Sequence, residues 1–158
     1  MSVTTSAPGS EVTEPHDWRT QGIRVVRSDQ RSDDTPETQG MNRKVAVSGS
    51  RTGSSRLWAG TNRIEPGQAT GPHHHGPLES IIYVVSGHAL MRWGDHLEWI
   101  TKAGPGDFLL VPPYLPHQEL NASLAEELHC VLVRSGTEEV VVNLEGLDAV
   151  AEPEWITE

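Results

Sequence analysis

The sequence predicts an all-β fold, a single closed β-barrel or jelly roll preceded by a flexible arm. Two observations carry this expectation. Short apolar and β-branched runs recur from about residue 44 onward, each bounded by Gly, Pro, Asn or Asp, at the intervals of an all-β sandwich or barrel. No convincing long amphipathic helix interrupts them; SLAEELHC is short and runs into β-branched residues. Closing such strands on themselves removes exposed edges.

The strand candidates are 44–49, 55–67, 80–87, 88–95, 96–107, 108–113, 117–123, 127–136 and 138–146. HALMRWGDHLEWI reads as a hairpin turning at Gly94-Asp95, with polar and apolar residues alternating on both arms. The expected organisation is an arm over 1–40, a barrel over 41–150 and a tail over 151–158. Within the arm, residues 1–20 are rich in Ser, Thr, Pro and Glu and are expected to lack order. GIRVVR (22–27) is a short β-rich segment; adding it to a neighbour's sheet predicts a homodimer.

Composition excludes several classes of partner. The 158 residues suit one domain with a real core. Lys and Arg number 12 against 22 Asp and Glu, a formal charge of −10 with no compensating basic run, so no nucleic-acid partner is expected. No apolar stretch reaches 18 residues, so no membrane span is expected. The start MSVTTSAPGSEVTEPHDW lacks a basic segment followed by an apolar run. One cysteine, Cys130, permits no intramolecular disulfide. Both features suit a cytoplasmic protein. Cys130 lies in the run LHCVLV and reads as a small core residue.

The chemistry concentrates in GQATGPHHHGPLES (67–80). His73 and His75 are two apart, so on an extended segment both project to one face and His74 to the other. Gly-Pro pairs on either side stiffen the backbone. A third imidazole, His117, follows prolines in PPYLPHQEL. Imidazole suits zinc, iron, nickel and copper alike, so residue type does not name the metal.

The spacing resembles the two motifs of the cupin superfamily. Gly67 is followed by five residues, His73-His74-His75, three residues, Glu79 and, further on, Gly87. Gly106 is followed by five residues, Pro112-Pro113-Tyr114, two residues, His117, three residues and Asn121; eighteen residues separate Gly87 from Gly106. The resemblance implies a cupin-type barrel, a double-stranded β-helix. It also implies a single divalent transition metal (zinc, iron, manganese or nickel, not distinguished) held by His73, His75, His117 and Glu79. Two departures stand out. Tyr114 occupies a position usually held by glycine, implying a different loop backbone or a phenol near the pocket. Counting back from Gly87 puts Ser80, not Glu79, at the carboxylate position, and a one-residue slip turns a side chain to the opposite face. Either Glu79 turns inward through a bulge, or the site has three histidines and an open position for water or substrate.

Other polar residues carry paired readings. Glu119 and Asn121 share a face with His117; Glu119 is a general base or a rim carboxylate in water. Trp58, Trp93 and Trp99 pack the core or line a pocket for a flat ligand. Arg43 binds a substrate carboxylate or is solvated. His88 and His96 are expected at the surface, His16 in the arm, and His129 in a core strand.

The leading functional expectation is a metal-dependent enzyme acting on a small organic molecule inside the barrel. The resemblance implies a menu of dioxygenases, isomerases, decarboxylases, cyclases and nitrogen–nitrogen bond-forming enzymes. Alternatives are a non-catalytic ligand-binding or sensing cupin and a metal-free epimerase using His and Tyr.

Overall fold

The computed structural model describes residues 15, 17–36 and 38–157; the expectations for 1–14 and for His16 lie outside them. The strands are β1 (Asn42–Val47), β2 (Leu57–Ile64), β3 (His73–His74), β4 (Ser80–Ser86), β5 (Ala89–Trp93), β6 (Trp99–Ala103), β7 (Phe108–Val111), β8 (His117–Asn121), β9 (Leu128–Ser135), β10 (Val142–Asn143) and β11 (Glu154–Trp155). Helix is confined, among the described residues, to α1 (Gly49–Thr52) and a 3-10 turn at Ser28–Gln30. The fold is all-β.

Two sheets form the barrel, in the orders β1-β2-β9-β4-β7 and β10-β3-β8-β5-β6-β11. Strict alternation decides which side chains enter it. Along β9, Leu128, Cys130, Leu132 and Arg134 are buried while His129, Val131 and Val133 are only half-buried. Trp58, Gly60, Asn62 and Ile64 on β2 and His117, Glu119 and Asn121 on β8 follow the same rule. Gly60 has a specific steric role: a Cβ there would meet the Lys44 carbonyl oxygen at 2.3 Å.

The interior is graded. Ile64, Ile82, Val84, Ala89, Met91, Leu128, Cys130 and Leu132 make the apolar core. Arg43, Asn62, His73, His75, His117, Glu119 and Arg134 are buried polar residues. Register places both sets in continuous rows. Asn62 lies opposite Arg43 on one side and Cys130 on the other, and Arg134 lies between Trp58 and Ser80.

Several local expectations need revision. Residues 22–27 form no strand; Arg24 instead donates from Nη1 to the Thr52 carbonyl at 2.9 Å. In 138–146 only Val142–Asn143 is strand. The tail folds back, with Glu154–Trp155 pairing in parallel with β6. The hairpin turn is confirmed between β5 and β6, closed by Leu97 N–H donating to the Gly94 carbonyl at 3.1 Å. No helix among the described residues is long and apolar enough to cross a membrane.

Candidate metal centre

β8 assembles the histidine cluster. The segment before β3 runs along it, with Thr70 N–H donating to the Glu119 carbonyl at 2.8 Å and Asn121 N–H to the Gln68 carbonyl at 3.0 Å. Continuing this ladder, β3 sets His73 directly opposite His117, and alternation brings His75 to the same face. The ligand atoms of His73, His75 and His117 lie within 4.8 Å of one another, and all three side chains are buried.

The backbone assigns each proton. Nδ1 of His73 stands 2.8 Å from the Gly71 carbonyl, Nδ1 of His75 2.8 Å from that of Val140, and Nδ1 of His117 2.9 Å from that of Leu115. A carbonyl oxygen only accepts, so Nδ1 is the donor in each ring and Nε2 keeps its lone pair. Burial, reinforced by the neighbouring His117, lowers the His73 pKa to about 2. Burial, reinforced by His75, lowers that of His117 to about 3. His75 is lowered as well, by burial first, with Glu139 opposing and Arg134 assisting. Three neutral imidazoles with inward lone pairs are a donor set for a transition metal. The buried Nε2 of His73 has no hydrogen-bond partner among the described residues, which a metal ligand would explain. The residues fit such an ion.

Glu79 stands outside this cluster. It is exposed, and its backbone N–H donates to Ser135 Oγ at 2.9 Å. The reason is register: β4 pairs regularly at Ser80 and shifts only between Val84 and Ser86, so no bulge turns Glu79 inward. Ser80 is the buried residue there. Its Oγ accepts from Arg134 Nε at 3.0 Å.

Sequence reasoning passed over Arg134 and Glu139. Arg134 Nη1 reaches Glu139 Oε2 at 2.5 Å, Nη2 meets Nε2 of His75 at 3.1 Å, and the guanidinium lies 5.1 Å from the Trp58 ring centre. Burial lowers the Arg134 pKa to about 10, against the opposing pull of Glu139, so it stays cationic at neutral pH. Glu139 Oε1 sits 3.3 Å from His75 Nδ1, but that N–H points to Val140 and Oε1 has no hydrogen bond. Burial would push Glu139 up; His75 and Arg134 outweigh it and hold it below the usual carboxylate range. A signal for Arg134 was present: period-two alternation from Leu128 through Cys130 and Leu132 puts it on the inner face. Glu139 follows β9 in irregular chain, where no period applies.

Other candidates are now placed. Glu119 is buried rather than on a wet rim. Burial raises its pKa, partly countered by Arg134 and Arg43. Asn121 serves structure: its amide donates to the Ile64 and Glu126 carbonyls at 3.0 and 2.7 Å, and Oδ1 accepts from Ser123 N–H at 2.9 Å. Arg43 is buried, donating to the Pro36 carbonyl at 2.8 Å and to Thr38 Oγ1 at 3.3 Å. Arg43 also lines a cavity of about 530 Å³ together with Pro36, Thr38 and Met41. Tyr114 keeps the left-handed backbone that glycine favours, at φ 61°, with an exposed phenol ring 6.0 Å from that of His74. Trp58 packs inside, whereas Trp99 is exposed. His88 and His96 are exposed, and His129 is half-buried rather than in the core. Burial, with Glu119 next, pushes the Cys130 thiol up to about 12, leaving it unreactive.

Comparison with known proteins agrees with this architecture. A family profile described as a cupin domain matches residues 60–134. No curated protein sequence matches significantly. Among solved structures, the polyketide cyclase RemF from Streptomyces resistomycificus is similar with a TM-score of 0.62 and 20% identity, over 80% of this chain and 89% of that one. A conserved protein with a double-stranded beta-helix domain from Klebsiella pneumoniae gives 0.59 and 20%, over 78% and 98%. Oxalate decarboxylase from Bacillus subtilis gives 0.60 and 20%, over 70% of this chain but 29% of that longer one. Residues 60–134 thus match a cupin domain, and the jelly-roll sheets and these neighbours share its fold.

Proposed function

We propose that this chain is a metal-dependent enzyme acting on a small organic molecule inside the barrel, with one divalent transition metal held by His73, His75 and His117. The observation that carries the reading is the convergence of three buried imidazoles whose Nδ1 protons are committed to backbone carbonyls. Such an ion supplies Lewis-acid polarisation of a bound carbonyl or carboxylate oxygen. The chain's own contribution is acid–base chemistry at Glu119. Its carboxyl is buried two residues along the same inner face from His117, and its raised pKa keeps a proton available closer to neutral pH. The names of two neighbours, a cyclase and a decarboxylase, support chemistry on small organic molecules. Elemental analysis of the purified chain tests the metal: about one transition metal per chain is expected, and none would remove this reading. Incubation with a substrate panel, with and without oxygen, tests catalysis. Turnover that fails in Glu119→Gln supports the enzyme; binding without turnover favours a sensor.

The assembly proposed with this site is a homodimer. On the outer face of the five-stranded sheet, Leu110 (64% exposed) lies opposite Ile81, and Phe108 (71% exposed) opposite Tyr83. Their strand, β7, ends the sheet. Ile23 is 99% exposed, and Val25 beside it is also exposed. A second copy presenting its segment 22–27 to the β7 edge would cover both apolar surfaces. Sedimentation is expected to show a dimer that dissociates in Phe108→Asp/Leu110→Asp and in Ile23→Asp/Val25→Asp. A dimer surviving both pairs of changes contradicts this arrangement.

A further inference from the structure

The polar end of the barrel buries two guanidiniums, Arg43 and Arg134, together with the three histidines. At the position where the family pattern places a carboxylate, this chain has Ser80, and Ser80 serves as an anchor for Arg134. Three further contacts fix the guanidinium: Glu139, the Trp58 ring and His75 Nε2. The last of these is the lone pair an ion needs. An ion and Arg134 cannot share it, so metal binding frees Arg134 Nη2 as a buried, charged donor beside the ion.

Two other groups lack partners on the same side. Asn62 is 0% exposed, faces inward between Arg43 and Cys130, and neither its amide nitrogen nor its oxygen has a hydrogen bond. Arg43 Nε is likewise buried without a hydrogen bond, 4.0 Å from Glu139 Oε2. Charge balance points the same way. Even with both Glu119 and Glu139 ionised, these carboxylates only match Arg43 and Arg134, and the three imidazoles are neutral. A divalent ion therefore adds two positive charges to a buried site that holds nothing to offset them.

We infer that the molecule taken up beside the ion is a small organic anion, a carboxylate or enolate, received by Arg134 with Arg43 and Asn62 completing its polar contacts. This rests on the metal reading above and names the substrate class of that same site. Guanidinium suits the task because a charged N–H donor bonds a carboxylate oxygen more strongly than a neutral donor does. Arg134 thus has two roles: it occupies His75 while the ion is absent and holds the ligand when the ion is present.

Calorimetry on the full chain, zinc-loaded and metal-free, tests this with malonate and its neutral analogue malonamide. Zinc-loaded protein is expected to bind malonate at least about 10-fold more tightly than malonamide. Arg134→Gln is expected to weaken malonate about 10-fold or more while binding zinc as tightly as before or more tightly, because His75 loses a competitor. Arg43→Gln is expected to weaken malonate with zinc affinity unchanged. Zinc stoichiometry in each variant reports that the site has folded. Equal binding of malonamide, or malonate binding unaffected in both variants, overturns the inference and leaves the metal centre standing. If the wild type takes up no zinc, the metal reading fails. The anion inference, which rests on that reading, then falls with it.

Discussion

At the scale of single residues, the division between ligand and bystander follows from which way β3 and β4 point their side chains. His73→Ala or His117→Ala is expected to lower metal affinity by more than about 100-fold, beyond the range typical of groups that merely support ligands. Glu79→Ala is expected to change it by no more than about threefold, as for a surface substitution. Competition with a chelating dye measures both, and a large loss in Glu79→Ala would show that the carboxylate reaches the ion after all. The imidazoles were legible because a spacing of two residues on an extended segment means one face. The carboxylate position was ambiguous because counting from His75 and from Gly87 gave answers one residue apart. Only the pairing of Ser80 with Val111 and Arg134 resolves it. Arg43 was legible as a carboxylate binder or a solvated group, and its burial beneath Pro36 and Thr38 came from chain packing that no local pattern records.

Among the elements, the strands that carry the barrel were the easiest to read, since each combines period-two burial with Gly or Pro at its ends. The failures lie where pairing is long-range. β3 is two residues long and exists because β8 and β10 flank it; two residues show no period. The segment 22–27 has strand composition yet no strand partner among the described residues, because composition reports fitness for a sheet and not the presence of one. The turn after β7 holds a testable strain. Tyr114 sits at φ 61° with Tyr114 N–H donating to the Gly76 carbonyl at 2.8 Å, where an L-residue pays about 1 kcal/mol for the left-handed region. Tyr114→Gly removes that strain but adds freedom to the unfolded chain, so a net gain of about 0.5 kcal/mol is expected in urea denaturation. A loss of stability would mean that the phenol's packing against His74 holds the turn.

For the whole molecule, burying three neutral imidazoles makes the metal-free protein acid-sensitive. Unfolded, each histidine takes a proton near 6.5; folded, His73 and His117 resist until about 2 and about 3. The unfolded state therefore binds more protons between those limits. Stability is full above about 6.5 and falls as pH drops through that window. Glu139, held low, adds a loss in the same direction below the ordinary carboxylate range, whereas Glu119, held high, opposes it. Metal-stripped protein is expected to lose about 2–3 kcal/mol between pH 7 and 5.5, read from urea midpoints. A flat profile would show that the rings admit protons and are not sealed in the barrel.

The most direct measurement is anomalous diffraction from crystals of the metal-loaded chain, collected at the absorption edge of the bound element. A single peak about 2.1 Å from Nε2 of His73, His75 and His117, with Glu79 pointing to solvent, is the predicted result. A peak bound elsewhere, or none between those nitrogens in protein shown to contain metal, would contradict it.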